Sequence, residues 1–135
     1  MARSEISHRH AAAVIAAVQA ELEARDGAAA VAVVDPHGEL VGFLRTDGCP
    51  LASINNAINK AFTAARERVE SAEIGARSRA DGFPMTNFGD LRYTGWGGGV
   101  PLLSGDAVIG AVGVSGLPED EDIELARLGA AVPAP

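Results

Sequence analysis

Three consecutive glycines, Gly97, Gly98 and Gly99, follow closely on Arg92, Tyr93 and Trp96. A glycine run exposes backbone N–H groups and reaches conformations closed to other residues, which is what a carboxylate or other oxyanion needs around it. A guanidinium nearby matches a carboxylate with two parallel hydrogen bonds, and Tyr93 is a candidate proton donor. The same run also reads as a tight bend feeding a strand, and it matches neither a phosphate-binding loop nor a dinucleotide fingerprint. Lys60 is the second candidate, with Asn56 and Thr63 one helical turn to either side, so that the three converge on a polar pocket or form a solvated helix face. A lysine there binds a substrate carboxylate as a point charge or, once desolvated, acts as a base.

The remaining reactive residues carry weaker signals. His8 and His10 stand two apart on a helix and cannot face one ligand. Both read by default as surface histidines, as does His37 in a Pro-His-Gly turn. Cys49 precedes Pro50 at the start of a helix, where the dipole lowers a thiol pKa, but no base is near in sequence. Asp35 reads as a turn residue, and Arg45 with Asp47 as a polar strand end. No CxxCH, HExxH or paired CxxC occurs, so no structural metal is expected.

These residues need a scaffold, and 135 residues suffice for one domain, taken as 1–135 with a frayed tail over 131–135. Hydrophobic residues make up 47% and aromatics only 4%, so the core must be built from Ala, Val, Ile and Leu. A thin domain of that kind tends to finish burying its apolar surface as a homo-oligomer. The net charge of −7 without a basic stripe argues against nucleic-acid and anionic-membrane partners. With no apolar run near the roughly 20 residues needed to span a bilayer, and one cysteine, a soluble cytoplasmic protein is expected.

Residues 4–25 carry Ala11, Val14, Ile15, Val18 and Leu22 at helical spacing behind a capping Ser4. The run 28–35, AAAVAVVD, reads as a buried strand, and 40–45 as its hairpin partner. A second helix begins at a capping Ser53, with an apolar stripe of Ile54, Ile58, Ala61, Phe62, Ala65 and Val69 opposite Asn55, Asn56, Asn59, Lys60, Thr63 and Arg66. After a short helix over 71–79 comes a long irregular segment whose Phe83, Met85, Phe88, Tyr93 and Trp96 argue for order and function. A hairpin over 99–115 and a helix over 118–131 complete the chain, with Pro118 and four acidic residues suiting the helix start. The element order predicts an α+β domain with an antiparallel sheet flanked by helices.

Four motifs in this order resemble the GlcG/HbpS family, which also includes the C-terminal domain of certain corrinoid adenosyltransferases. They are the strand Val31 to Asp35, the Arg-x-Asp-Gly of Arg45 to Gly48, the Lys-Ala-x-Thr-Ala of Lys60 to Ala64, and the Gly-Gly-x-Pro-Leu hairpin of Gly98 to Gly116. The resemblance implies a profilin-like fold with a five-stranded antiparallel sheet and a tendency to form dimers and higher homo-oligomers. It also implies a haem-binding or haem-handling protein with a histidine ligand, commonly on the first helix, which makes His8, His10 and His37 the candidates. The segment 87–96 is more aromatic than the commoner family loop and carries Arg92, which points to a different small-molecule ligand. The alternative is therefore a cofactor-independent enzyme acting on an organic acid, with Lys60, Arg92 and Tyr93 catalytic and Asn56, Thr63, Trp96 and Gly97 to Gly99 binding the substrate. A non-catalytic oligomeric accessory or sensor protein is the third option.

Overall fold

In the computed structural model, which describes residues 4–135, Ser7 rather than Ser4 caps the first helix. Its hydroxyl accepts the His10 N–H at 3.1 Å, satisfying one of the orphan donors of a helix start, and α1 runs His8–Ala24. The chain continues through β1 (Ala30–Val34), β2 (Leu40–Arg45), α2 (Ala52–Glu67), α3 (Ser71–Asp81), a 3-10 turn (Met85–Phe88), β3 (Gly99–Ser104), β4 (Ala107–Ser115) and α4 (Glu119–Ala130). No helix among the described residues is long and apolar enough to cross a membrane.

Among the described residues the sheet has four strands in the order β2-β1-β4-β3, every neighbouring pair antiparallel, not the five expected from the family resemblance. The long segment between α3 and β3 supplies no fifth strand: Gly82, Pro84, Gly89 and Gly95 interrupt it, and its one regular piece is the 3-10 turn.

Alternation along β1 sorts side chains by size. Val31 and Val33 face α1 and α4, where they meet Val14, Val18, Leu22, Val112, Val114 and Leu125 in the larger core. Ala30, Ala32 and Val34 face α2, where they meet Ala57, Ala61, Ala64 and Ala65. Each fully buried Val or Leu contributes roughly 1.5–3 kcal/mol, so most of the hydrophobic stabilisation lies on the first face.

On the second face small residues allow contact with the backbone itself. Gly99 and Gly113 are paired across β3 and β4, and a side chain at either would run into the carbonyls of Lys60 and Ala57 respectively. Helix α2 therefore lies almost on the strands, and its burial extends round to Ser53, Lys60 and Thr63. The expected division into an apolar stripe and a solvated polar face does not hold: Lys60 is buried, while Ile54 and Ile58 are only half-buried. Leu51, not Ser53, occupies the cap position, and the helix closes at Arg68 in a left-handed conformation, before Val69.

The end of the chain is also held. The carbonyl of Val132, in the tail expected to fray, lies 2.8 Å from Nε2 of His10, and its side chain packs on the larger core.

Candidate functional site

Where α2 passes the end of β4 and the start of α4, a cavity of about 210 Å³ opens. Lys60, Asn56 and Ser53 border it from α2, Ser115 and Gly116 from the end of β4, Glu119 and Asp122 from α4, and Trp96 from the loop before β3. Lys60 Nζ donates to the Val114 carbonyl at 2.9 Å and to Asp122 Oδ2 at 3.1 Å. Both side chains of this ion pair are almost fully buried, at 4% and 3% exposure. Asp122 Oδ1 accepts the Leu117 N–H at 3.0 Å, so the carboxylate also holds the turn into α4. Burial pushes the Asp122 carboxyl up from its ordinary range, and the Lys60 ammonium and the Leu117 N–H pull it back only in part.

The glycine run has protein partners of its own. The Gly97 N–H donates to Glu119 Oε2 at 2.6 Å, and the Gly99 N–H to Ser71 Oγ at 2.9 Å. Gly98 has φ +123°, a conformation side-chain-bearing residues rarely adopt, and its carbonyl accepts the Val114 N–H as the chain enters β3. A carboxylate does sit on the glycine loop, but it is the protein's own Glu119.

Arg92 and Tyr93 lie apart from this cavity. Arg92 pairs with Asp90 through Nε at 3.1 Å and Nη2 at 2.9 Å, and its guanidinium sits 4.1 Å from the centre of the Phe62 ring. That contact holds Asp90 well down, at about 2. Tyr93 stacks on Phe88 with 4.4 Å between ring centres and donates its hydroxyl proton to Glu67 at 2.9 Å. Burial first, and then this hydrogen bond, push the phenol up to about 12. Thr63 Oγ1 is taken by the Thr94 N–H at 2.9 Å. The structure thus brings Lys60, Asn56, Trp96 and Gly97 to one place, with Gly98 against the Lys60 side chain, and sets Arg92, Tyr93 and Thr63 among the loop's aromatic and backbone contacts.

The three histidines fall into three environments. His10 is buried, not a surface histidine as expected; Nε2 meets the Val132 carbonyl, and Nδ1 has no hydrogen-bond partner among the described residues. His37 is exposed, and its backbone is tied on both sides, N–H to Asp35 and carbonyl to Arg66. His8 is exposed at a shallow groove between α1 and β2, whose lining includes Ala11, Ala12, Ile15, Val41 and Phe43 and whose volume is about 360 Å³. Burial raises the Cys49 thiol, with Arg45 opposing, so the helix start does not activate it.

Sequence reasoning missed Asp122, Ser53, Ser115 and Glu119. Asp122 is 62 positions from Lys60 and sits in an acidic first turn that the helix dipole alone accounts for. The available signal was the unbroken serine-glycine end of β4, which delivers the chain directly to that turn.

Comparisons with known proteins agree on one family. The model described as "Haem degrading protein HbpS-like" matches residues 6–131. Protein GlcG of Escherichia coli (strain K12) is 33% identical over 117 residues, covering 82% of this chain and 81% of GlcG. The crystal structure of a double mutant of Streptomyces reticuli HbpS is 29% identical with a TM-score of 0.88, covering 99% of this chain and 90% of that one. The crystal structure of a PduOC:haem complex has the same fold, with a TM-score of 0.88 at 21% identity, covering 96% and 95%.

Proposed function

The chain belongs to the HbpS-like family, and from that premise we propose that it binds and handles haem in the groove between α1 and β2, with His8 as the iron ligand. The observation that carries the reading is the pairing of an exposed imidazole with an apolar groove, the two things a haem requires of a protein surface. Its volume falls within the roughly 300–1,000 Å³ of ordinary ligand pockets. His10 does not fit the role, because its ring is enclosed and one nitrogen is committed to Val132. His37 is exposed in the β1–β2 turn and does not line the α1–β2 groove. A haem bound at His8 would supply an iron centre. The chain's own contribution is to present the imidazole and to shield one side of the macrocycle with Ile15, Val41 and Leu44.

Two further parts of the proposal rest on separate features. The edge strands β2 and β3 carry exposed Leu40 and Leu103, which support assembly into a homo-oligomer. The free thiol of Cys49 supports a reducing, cytoplasmic setting. The organic-acid enzyme is less well supported, since Arg92 is committed to Asp90 and Phe62, and Glu119 already occupies the Gly97 N–H.

Titration of the purified apo-protein with hemin tests the assignment. A sharp, saturable Soret band is expected for the wild type, His10→Ala and His37→Ala, and is lost in His8→Ala. A broad spectrum that never saturates, or a band that survives in His8→Ala, would overturn it.

A further inference from the structure

We propose that the cavity beside Lys60 is a second ligand site, separate from the His8 groove, and that it takes a small neutral molecule carrying several hydroxyl groups. Two buried side chains point to a ligand. The hydroxyls of Ser53 and Ser115, each residue only 6% exposed, border the cavity, and neither has a protein hydrogen-bond partner among the described residues. Neither hydroxyl oxygen is sealed off, so each is open to water or a ligand in the cavity. Lys60 adds a third unused position: an ammonium carries three protons, and two go to Val114 and Asp122.

The charges select among ligands. Lys60 contributes +1, Asp122 −1 and Glu119 −1, so the cavity carries a net charge of −1. A carboxylate or phosphate would meet that net negative charge, since the one ammonium is already matched by Asp122. An ammonium ligand would bring a second cation beside Lys60, whose charge Asp122 already matches, while Glu119, the remaining charge, is exposed to solvent. A hydroxyl suits what is present, because it donates to a serine or carboxylate oxygen and accepts from Lys60 at the same time. The volume, about 210 Å³, is below that of pockets for drug-sized ligands and limits the ligand to a few carbons. Trp96 at the mouth, 58% exposed, offers an apolar face to the C–H side of such a chain.

Trp96 is the chain's one tryptophan, so its emission reports on this cavity directly. Erythritol is titrated into the protein while Trp96 fluorescence and saturation-transfer NMR of the polyol are recorded, with lactate and ethanolamine as charged probes of similar size. Saturable erythritol binding is expected, stronger than that of either charged probe. Ser53→Ala and Ser115→Ala should each weaken it by about two- to tenfold, the worth of one hydrogen bond. His8→Ala should leave it unchanged, so this result and the Soret result fail independently. Preference for lactate or ethanolamine, absence of saturation in both readouts, or binding by both serine variants as tight as the wild type's would overturn the proposal.

Discussion

The two faces of the sheet are packed at different distances, and that difference separates a groove from a cavity. On the α1 and α4 side, valines and leucines hold the helices off the strands, and an apolar groove lies along the edge where α1 meets β2. On the α2 side, alanines and paired glycines bring the helix onto the strand backbone, and a lysine that would otherwise reach water is enclosed with its counter-ion. Side-chain size within one strand pattern thus goes with an apolar groove on one face and a polar cavity on the other.

The strongest way to break the contrast is to fill the close face. Gly113→Val places a branched side chain against the Ala57 carbonyl and should cost more than about 4 kcal/mol, most of a marginal domain's stability, so that the cooperative urea transition is lost. A folded Gly113→Val protein would show that α2 is not held close by the glycines. Lys60→Met should destabilise by about 3–5 kcal/mol, because Asp122 is left buried without its partner. The double variant Lys60→Met/Asp122→Leu should recover most of the loss, and additive losses would mean that the pair is not coupled. On the wide face, Leu125→Ala removes packing from the larger core and should cost about 2–5 kcal/mol by cavity formation, read from the same unfolding curves.

The smallest effect lies outside both faces. Asp90 is held near 2 in the folded protein against an ordinary 3.8, chiefly by its hydrogen bonds to Arg92. Because the folded value is the lower one, this carboxylate stabilises the fold above about pH 4 and loses that contribution as the pH falls toward 2. Asp90→Asn should flatten the dependence of the thermal midpoint on pH between 4 and 2 and leave it nearly unchanged at pH 7; an unaltered acid slope would contradict the pairing.

Much of the framework is legible in the sequence. The β-branched run of β1 announces a buried strand, and its Val-Ala alternation already contains the two faces. The glycine hairpin was visible as well, but its purpose was not: Gly99 looks like an anion-binding residue until α2 is seen resting on it. Burial of Lys60 and His10 was hidden for a related reason. A polar residue on a helix reads as solvated when only its own helix is considered, whereas here α4 and the C-terminal segment bring Asp122 and Val132 to meet them. Contacts across 62 and 122 positions leave no periodicity to detect. The fifth strand came from family likeness alone and has no counterpart in the segment that would have to form it.

Imidazole rescue of a His8→Gly variant tests the haem assignment most directly. As a surface change outside the core it should leave helix α1 folded, at a stability cost near 1 kcal/mol. With hemin alone the variant should lack the sharp Soret band, and millimolar imidazole should restore it, with the ferric haem showing imidazole ligation by electron paramagnetic resonance. Wild-type-like spectra without added imidazole, or no response to it, would contradict the claim that His8 presents the ligand.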